Sequence, residues 1–268
     1  MKRKATIACL AVLMGCWGAL PLARALNPNP ESAAGQRAEA ERLTKQAEQV
    51  QARAEKMTGD AKAAATDLVA ALKAQAAAAL KVSAAWAAGD EAALKAALPE
   101  LEHNRDASYR ASERLNVRQT QANLAPNEKQ VEALRGITPA ANKSLLDAVV
   151  AARQKALTAG DTFVAALTPE ASGVSVETAR DVLLQATDEL ELATRALNLA
   201  NGRARLAARP GASDAAIVAK IADLAKLDDA VLAAAKTAKE QSLQVRILER
   251  KRYLALKDLE TALSKPGK

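Results

Sequence analysis

The sequence predicts an all-α protein, an elongated antiparallel bundle of coiled-coil-like helices. Three observations carry that expectation. Ala is the commonest residue, and Ala has the best helix propensity because it loses no side-chain rotamer entropy and buries no polar group. Apolar residues recur at spacings of three and four, the period of a helix face. No run of β-branched residues alternates with polar ones, so no strand is expected. Aromatic residues are only 2% of the chain, so the core must be thin and made of Ala and Leu. Helices lying close together along their length suit such a core.

Residues 1–25 are expected to be a signal peptide. Lys2, Arg3 and Lys4 form a positive start, Ala5 to Leu20 is mostly apolar, and Pro21 breaks the run. Ala23-Arg24-Ala25 then offers the small residues a signal peptidase pocket admits, with cleavage after Ala25. Leu13-Met14-Gly15-Cys16 is a rival signal, a loose lipobox that makes Cys16 a candidate for lipidation. The apolar run falls short of the ~20 residues a membrane span needs. Leu26 to Pro30 is an extended lead, because two prolines exclude helix and restrict their preceding residues.

Residues 31–268 are expected to be helical, divisible into sub-bundles 31–135 and 138–265. The first helix runs from about Glu31 to Thr58, with a narrow seam of Ala33, Ala40, Leu43, Ala47, Val50, Ala54 and Met57. Gly59-Asp60, Gly89-Asp90 and Gly160-Asp161 are each expected to be corners. Gly past a helix end takes the left-handed conformation, and Asp accepts hydrogen bonds from the first amides of the next helix. The second helix therefore spans Asp60 to about Ala88. A short piece follows Asp90, and Pro99 opens or kinks a helix toward Leu124. A short helix over 127–135 closes at Gly136, and Thr138-Pro139 opens another to Ala159. Residues 169–173 form a loop, and Ser175 begins a long helix to about Ala208. Arg209-Pro210-Gly211 is a turn with Ser213 as the next N-cap. The last helix reads as uninterrupted from Asp214 to Ser264, a rod of roughly 75 Å.

The stretches 87–100 and 158–170 are alike, which raises a duplicated hairpin against chance likeness of Ala-rich helices. The corners are 30 and 71 residues apart, so no fixed period supports a solenoid. Trp86 with Gly89-Asp90-Glu91-Ala92-Ala93-Leu94 resembles the helix–turn–helix junction of a tetratricopeptide repeat. The resemblance covers this junction alone.

Charge and chemistry exclude several function classes. The chain carries 38 basic and 31 acidic residues, net +7. Lys2, Arg3, Lys4 and Arg24 leave with the signal peptide and no acid does, so the mature chain is 34 against 31, net +3. That is mildly basic, and nucleic acid is not an expected partner. Cys9 and Cys16 leave too, so neither disulfides nor thiol chemistry are expected. His103 is the only histidine, in a polar helical stretch, and reads as a surface residue rather than a metal ligand. No phosphate loop or nucleophile elbow is present, and no cofactor is expected. Acid pairs such as Asp228-Asp229 and Asp188-Glu189 are expected on exposed faces and say nothing of catalysis. The sequon Asn142-Lys143-Ser144 falls inside an expected helix.

One local pattern stands out. Arg246, Arg250, Tyr253 and Lys257 lie four, three and four residues apart, so they share a helix face, with Lys251 and Arg252 beside them. Leu248, Leu256, Leu259 and Leu263 lie opposite as expected core. The stripe is a candidate site for an anionic partner, weighed against an ordinary solvated face paired with Glu249, Asp258 and Glu260. The expected function is a non-catalytic scaffold or protein-interaction protein of the periplasm or cell envelope, with a protein or a second copy as partner. The alternative is a peripheral membrane or anionic-polymer binder, or a holdase-type chaperone, using the basic stripe.

Overall fold

The computed structural model describes residues 32–124, 128–168, 172–237 and 243–264. The expected signal peptide, the extended lead and Cys16 lie outside the described residues. The protein is an all-α helical bundle. Among the described residues are α1 (Ala33–Ala54), α2 (Gly59–Ala88), α3 (Glu91–Leu124), α4 (Glu128–Ile137), α5 (Lys143–Ala166), α6 (Gly173–Ala207), α7 (Ala215–Thr237) and α8 (Leu243–Ser264), with one 3-10 turn at Ala140–Asn142 and no strand. The chain forms two compact units, Met1–Arg53 with Leu68–Ser108 and Ala54–Asp67 with Tyr109–Lys268. The division falls inside α2 and inside α3.

The first unit holds α1, most of α2 and the first half of α3. Ala40, Leu43 and Ala47 of the α1 seam are buried, as are Leu68, Leu72, Ala76, Ala79 and Val82 of α2. Cross-helix polar contacts fix the direction of packing. Ser83 Oγ donates to the Ala33 carbonyl at 2.7 Å, so the end of α2 lies by the start of α1. Lys81 meets Glu100 at 2.6 Å and Ser108 Oγ donates to Gln75 Oε1 at 2.5 Å, so α3 runs antiparallel to α2. By length and composition α2 could cross a membrane, with a mean hydropathy of 1.3 over eighteen residues, but half of that window is buried within the protein. A core helix flanked by helices on several sides has the same composition.

The second unit holds the start of α2, the second half of α3 and all of α4 to α8. In α5 and α6, Leu146, Val149, Ala156 and Ala159 pack against Ala186, Leu190 and Leu197. Lys155 pairs with Glu189 at 2.6 Å and Asn142 Nδ2 donates to Asn201 Oδ1 at 2.9 Å, an antiparallel register. Phe163 and Leu167 close one end with Val117 and Ala179. Leu206, Ala212, Ile217, Leu224 and Leu259 make a further cluster joining α6, α7 and α8.

Two of the three expected corners are corners. Gly59 and Gly89 have φ of 57° and 65°, which costs glycine nothing. After α2, Asp90 N donates to the Ala85 carbonyl at 3.0 Å and Gly89 N to Trp86 at 3.2 Å, satisfying carbonyls the helix end leaves open. Asp90 Oδ1 then accepts from Ala93 N at 2.9 Å, capping α3. Gly160 is not a corner: α5 continues through it to Ala166. A Cβ there would lie 2.7 Å from Gln121 Nε2 and 3.2 Å from Val117 Cγ1, so Gly160 serves the close approach of α3. The expected hairpin likeness of 87–100 and 158–170 therefore does not extend to structure.

Other boundaries differ for local reasons. α3 runs from Glu91 straight through Pro99. Proline removes the donor to the Lys95 carbonyl, and both residues are exposed, where water serves that carbonyl. Gly136 lies within α4 rather than closing it, and α6 starts before Ser175, with Ser172 Oγ accepting from Ser175 N at 3.2 Å. Asp214, not Ser213, caps α7 by accepting from Ala216 N at 2.8 Å. The expected rod from Asp214 to Ser264 is two helices, α7 and α8, lying antiparallel. Lys220 pairs with Asp258 and Asp228 with Arg252. Residues 238–242 between them contain neither Gly nor Pro, so composition carried no stop signal.

Candidate interaction surface

α8 is positioned by a buried charge. Asp228 of α7 is fully enclosed. Its Oδ2 accepts from Arg203 Nη1 of α6 at 2.6 Å, and its Oδ1 accepts from Arg252 Nε of α8. One carboxylate thus joins three helices, each oxygen answered by a guanidinium. The expectation of an exposed acid at Asp228 is corrected: Asp229 is exposed, but its neighbour is the most enclosed charge among the described residues. Arg252, expected to add charge to the stripe, is turned inward. Burying a carboxylate without such partners would cost several kcal/mol.

With Arg252 fixed, the faces of α8 follow from the helical period. Val245 and Leu259 are fully buried, and Leu256 and Leu263 pack against the cluster that holds Leu259. Leu248 is half-buried. The opposite face carries the sequence-predicted stripe: Arg246, Arg250, Tyr253 and Lys257 are all exposed. The Arg250 guanidinium stands 5.5 Å from the centre of the Tyr253 ring, a cation–π contact that presents ring and charge together.

Sequence reasoning missed the row beside the stripe. Leu243, Ile247 and Leu254 are exposed by 74%, 46% and 51%. At 100° per residue they fall in one arc next to Arg246, Arg250 and Lys257. The signal was the 4- and 7-residue spacing of these three, which places them across the helix from Leu248, Leu256, Leu259 and Leu263. Two of the three acids of α8 are paired across to neighbouring helices, and the third, Glu260, is exposed just beyond Tyr253. Glu249 pairs with Arg195 of α6 at 3.1 Å, and Asp258 with Lys220 of α7. Among the described residues, Arg246, Arg250, Lys251 and Lys257 have no ion-pair partner.

The other candidates are less organised. His103 is exposed on α3. Among the described residues no three His, Cys, Asp or Glu side chains gather as a metal site. A shallow open groove on α1 is lined by Arg37, Glu41, Lys45, Glu48 and Leu80, where both charge signs alternate. Tyr109, half exposed, accepts from Arg180 at 2.7 Å, and Arg180 also lies 5.6 Å from the Phe163 ring centre, a contact that ties α6 to α3 and α5. No protein-family model matches the chain, and no curated protein or solved structure is significantly similar to it.

Proposed function

We propose that this is an exported, non-catalytic interaction protein of the cell envelope that works through its helix surfaces, with the outer face of α8 as its contact. The observation that carries the reading is the arc of α8 on which Leu243, Ile247, Tyr253 and Leu254 are exposed among Arg246, Arg250 and Lys257. Single exposed apolar residues are ordinary, but contiguous ones rimmed by charge mark interaction surfaces. The stripe and the row share a helix pinned to α6 and α7 by Asp228, so the surface is held rigid before it meets anything. Support for the compartment is the order of positive start, apolar run and Ala23-Arg24-Ala25 at the N-terminus.

The test is site-specific photo-crosslinking in the cell. A photoreactive residue at Ile247 or Leu254 is expected to form adducts in the envelope fraction, and one at exposed Glu102 of α3 is not. Equal labelling from all three positions, or none from the α8 positions, counts against the reading.

A further inference from the structure

We infer that the outer face of α8 docks on an anionic lipid surface. The inference rests on the interaction role proposed above and names its occupant. Three features of the arc favour a bilayer over an acidic protein. First, the arc combines cations with aliphatic side chains along the helix, from Leu243 to Lys257, about 21 Å. A helix lying in the plane of a membrane needs both: apolar groups below the headgroups, and Lys and Arg whose aliphatic stems let the charge reach the phosphates. Second, Tyr253, with its ring under Arg250, has the amphipathic character that settles at headgroup depth. Third, the complementarity is one-sided. Three cations, Arg246, Arg250 and Lys257, lie within the arc, while Glu249 and Asp258 are held by Arg195 and Lys220 and Glu260 falls just outside it. A bilayer meets the whole length of such an arc at once, phosphates against the cations and acyl chains against Leu243, Ile247 and Leu254. No acid lies within the arc bounded by Tyr253 and Ile247 on the helix circumference.

The side chains involved point away from the core, so changing them leaves the fold intact, which unaltered circular dichroism verifies. The experiment is co-sedimentation of the full chain with vesicles of phosphatidylcholine alone and of phosphatidylcholine mixed with phosphatidylglycerol. The N-terminal apolar run is common to every variant, so the comparison isolates α8. The wild-type chain is expected to bind the mixed vesicles more tightly, and less so as salt rises. Each cation near an anionic surface contributes about fivefold in partitioning, so Arg246→Glu with Arg250→Glu is expected to weaken binding to mixed vesicles at least tenfold. Leu254→Ser is expected to weaken it too, at unchanged charge on the stripe. Lys95→Glu, exposed on α3, is expected to bind as wild type. Binding to mixed vesicles unchanged by Arg246→Glu with Arg250→Glu overturns the inference. If that variant binds vesicles as wild type while the residue at Ile247 still crosslinks to a protein in cells, the lipid assignment fails and the interaction role stands. If neither vesicles nor crosslinks respond to α8, both fail.

Discussion

Asp228 accepts hydrogen bonds from two arginines while wholly enclosed, so the effect of replacing it depends on what is left behind. Asp228→Ala removes the carboxylate and leaves Arg203 and Arg252, whose side chains are only about a quarter exposed, facing one another. Breaking a buried pair from one side costs about 3–5 kcal/mol, and the partial exposure of both arginines puts the expected loss near 3 kcal/mol. Urea unfolding followed by circular dichroism should show a lower midpoint. Replacing all three together, Arg203→Met, Asp228→Leu and Arg252→Met, should return stability to within about 1 kcal/mol of wild type, because no uncompensated charge remains. A triple variant as weak as Asp228→Ala would mean that packing, not charge, dominates there. Asp161 is a contrasting case. A hydrogen bond from Arg118, and then one from Gln121, holds its carboxyl below the usual carboxylate range. A depressed folded value stabilises the protein above the unfolded pKa and loses that contribution as pH falls through the folded one. The side chain is mostly exposed and screened, so the effect is small, under about 1 kcal/mol. Asp161→Asn should lower stability by that small amount at neutral pH and low salt. The gap should close below pH ~4, and also at neutral pH in high salt.

Helix ends and helix crossings use glycine differently, and the two uses are separable by substitution. Gly89 sits at φ 65° with open space around it, so Gly89→Ala meets no neighbour but is strained by about 1–2 kcal/mol. Gly160 is helical, so Ala there gains about 1 kcal/mol in propensity and then meets Gln121, whose amide is fixed by the Leu157 carbonyl at 2.8 Å. Gly160→Ala should therefore change stability little, whereas Gly160→Ala in a Gln121→Ala background should be stabilising by up to about 1 kcal/mol. A thermal melt of the four proteins decides it, and a Gly160→Ala that stabilises the wild-type background fully would show that Gln121 yields freely. The same contrast explains what the sequence could reveal. The α1 seam was legible because 3–4 spacing needs no knowledge of the partner: Ala40, Leu43, Ala47 and Ala54 are buried as read. Gly59 and Gly89 were legible because a cap is a local event. Gly160 has the same local sequence signal, and only its distant neighbour Gln121 distinguishes it. Asp228 was misread for the same reason, since its partners stand 24 and 25 residues away in chain. The basic stripe of α8 was legible as spacing. The exposed row at Leu243, Ile247 and Leu254 was not, because α8 carries apolar residues on two faces and pattern alone does not say which one is covered.

At the scale of the whole molecule, the proposed export and the proposed α8 contact constrain each other. Cleavage after Ala25 removes Cys9 and Cys16 and reduces the net charge from +7 to +3, so the protein would reach the envelope with no thiol to carry an acyl chain. Its hold on a membrane would then depend on α8 alone. A single amphipathic contact with a few cations is reversible and weakened by salt, unlike a lipid anchor reinforced by a second signal. Mass spectrometry of protein from the envelope fraction is therefore expected to give a chain beginning at Leu26, unchanged by alkylation. A high-salt wash should release it, and Arg246→Glu with Arg250→Glu should shift it to the soluble fraction without any wash. Replacing Ala23 and Ala25 with bulky residues should retain the 28.0 kDa precursor. An N-terminus at Cys16 bearing acyl chains, with protein that stays in the detergent phase after the salt wash, would instead assign the anchoring to the lipobox. In that case α8 adds only orientation, and the charge-reversed variant should remain membrane-bound.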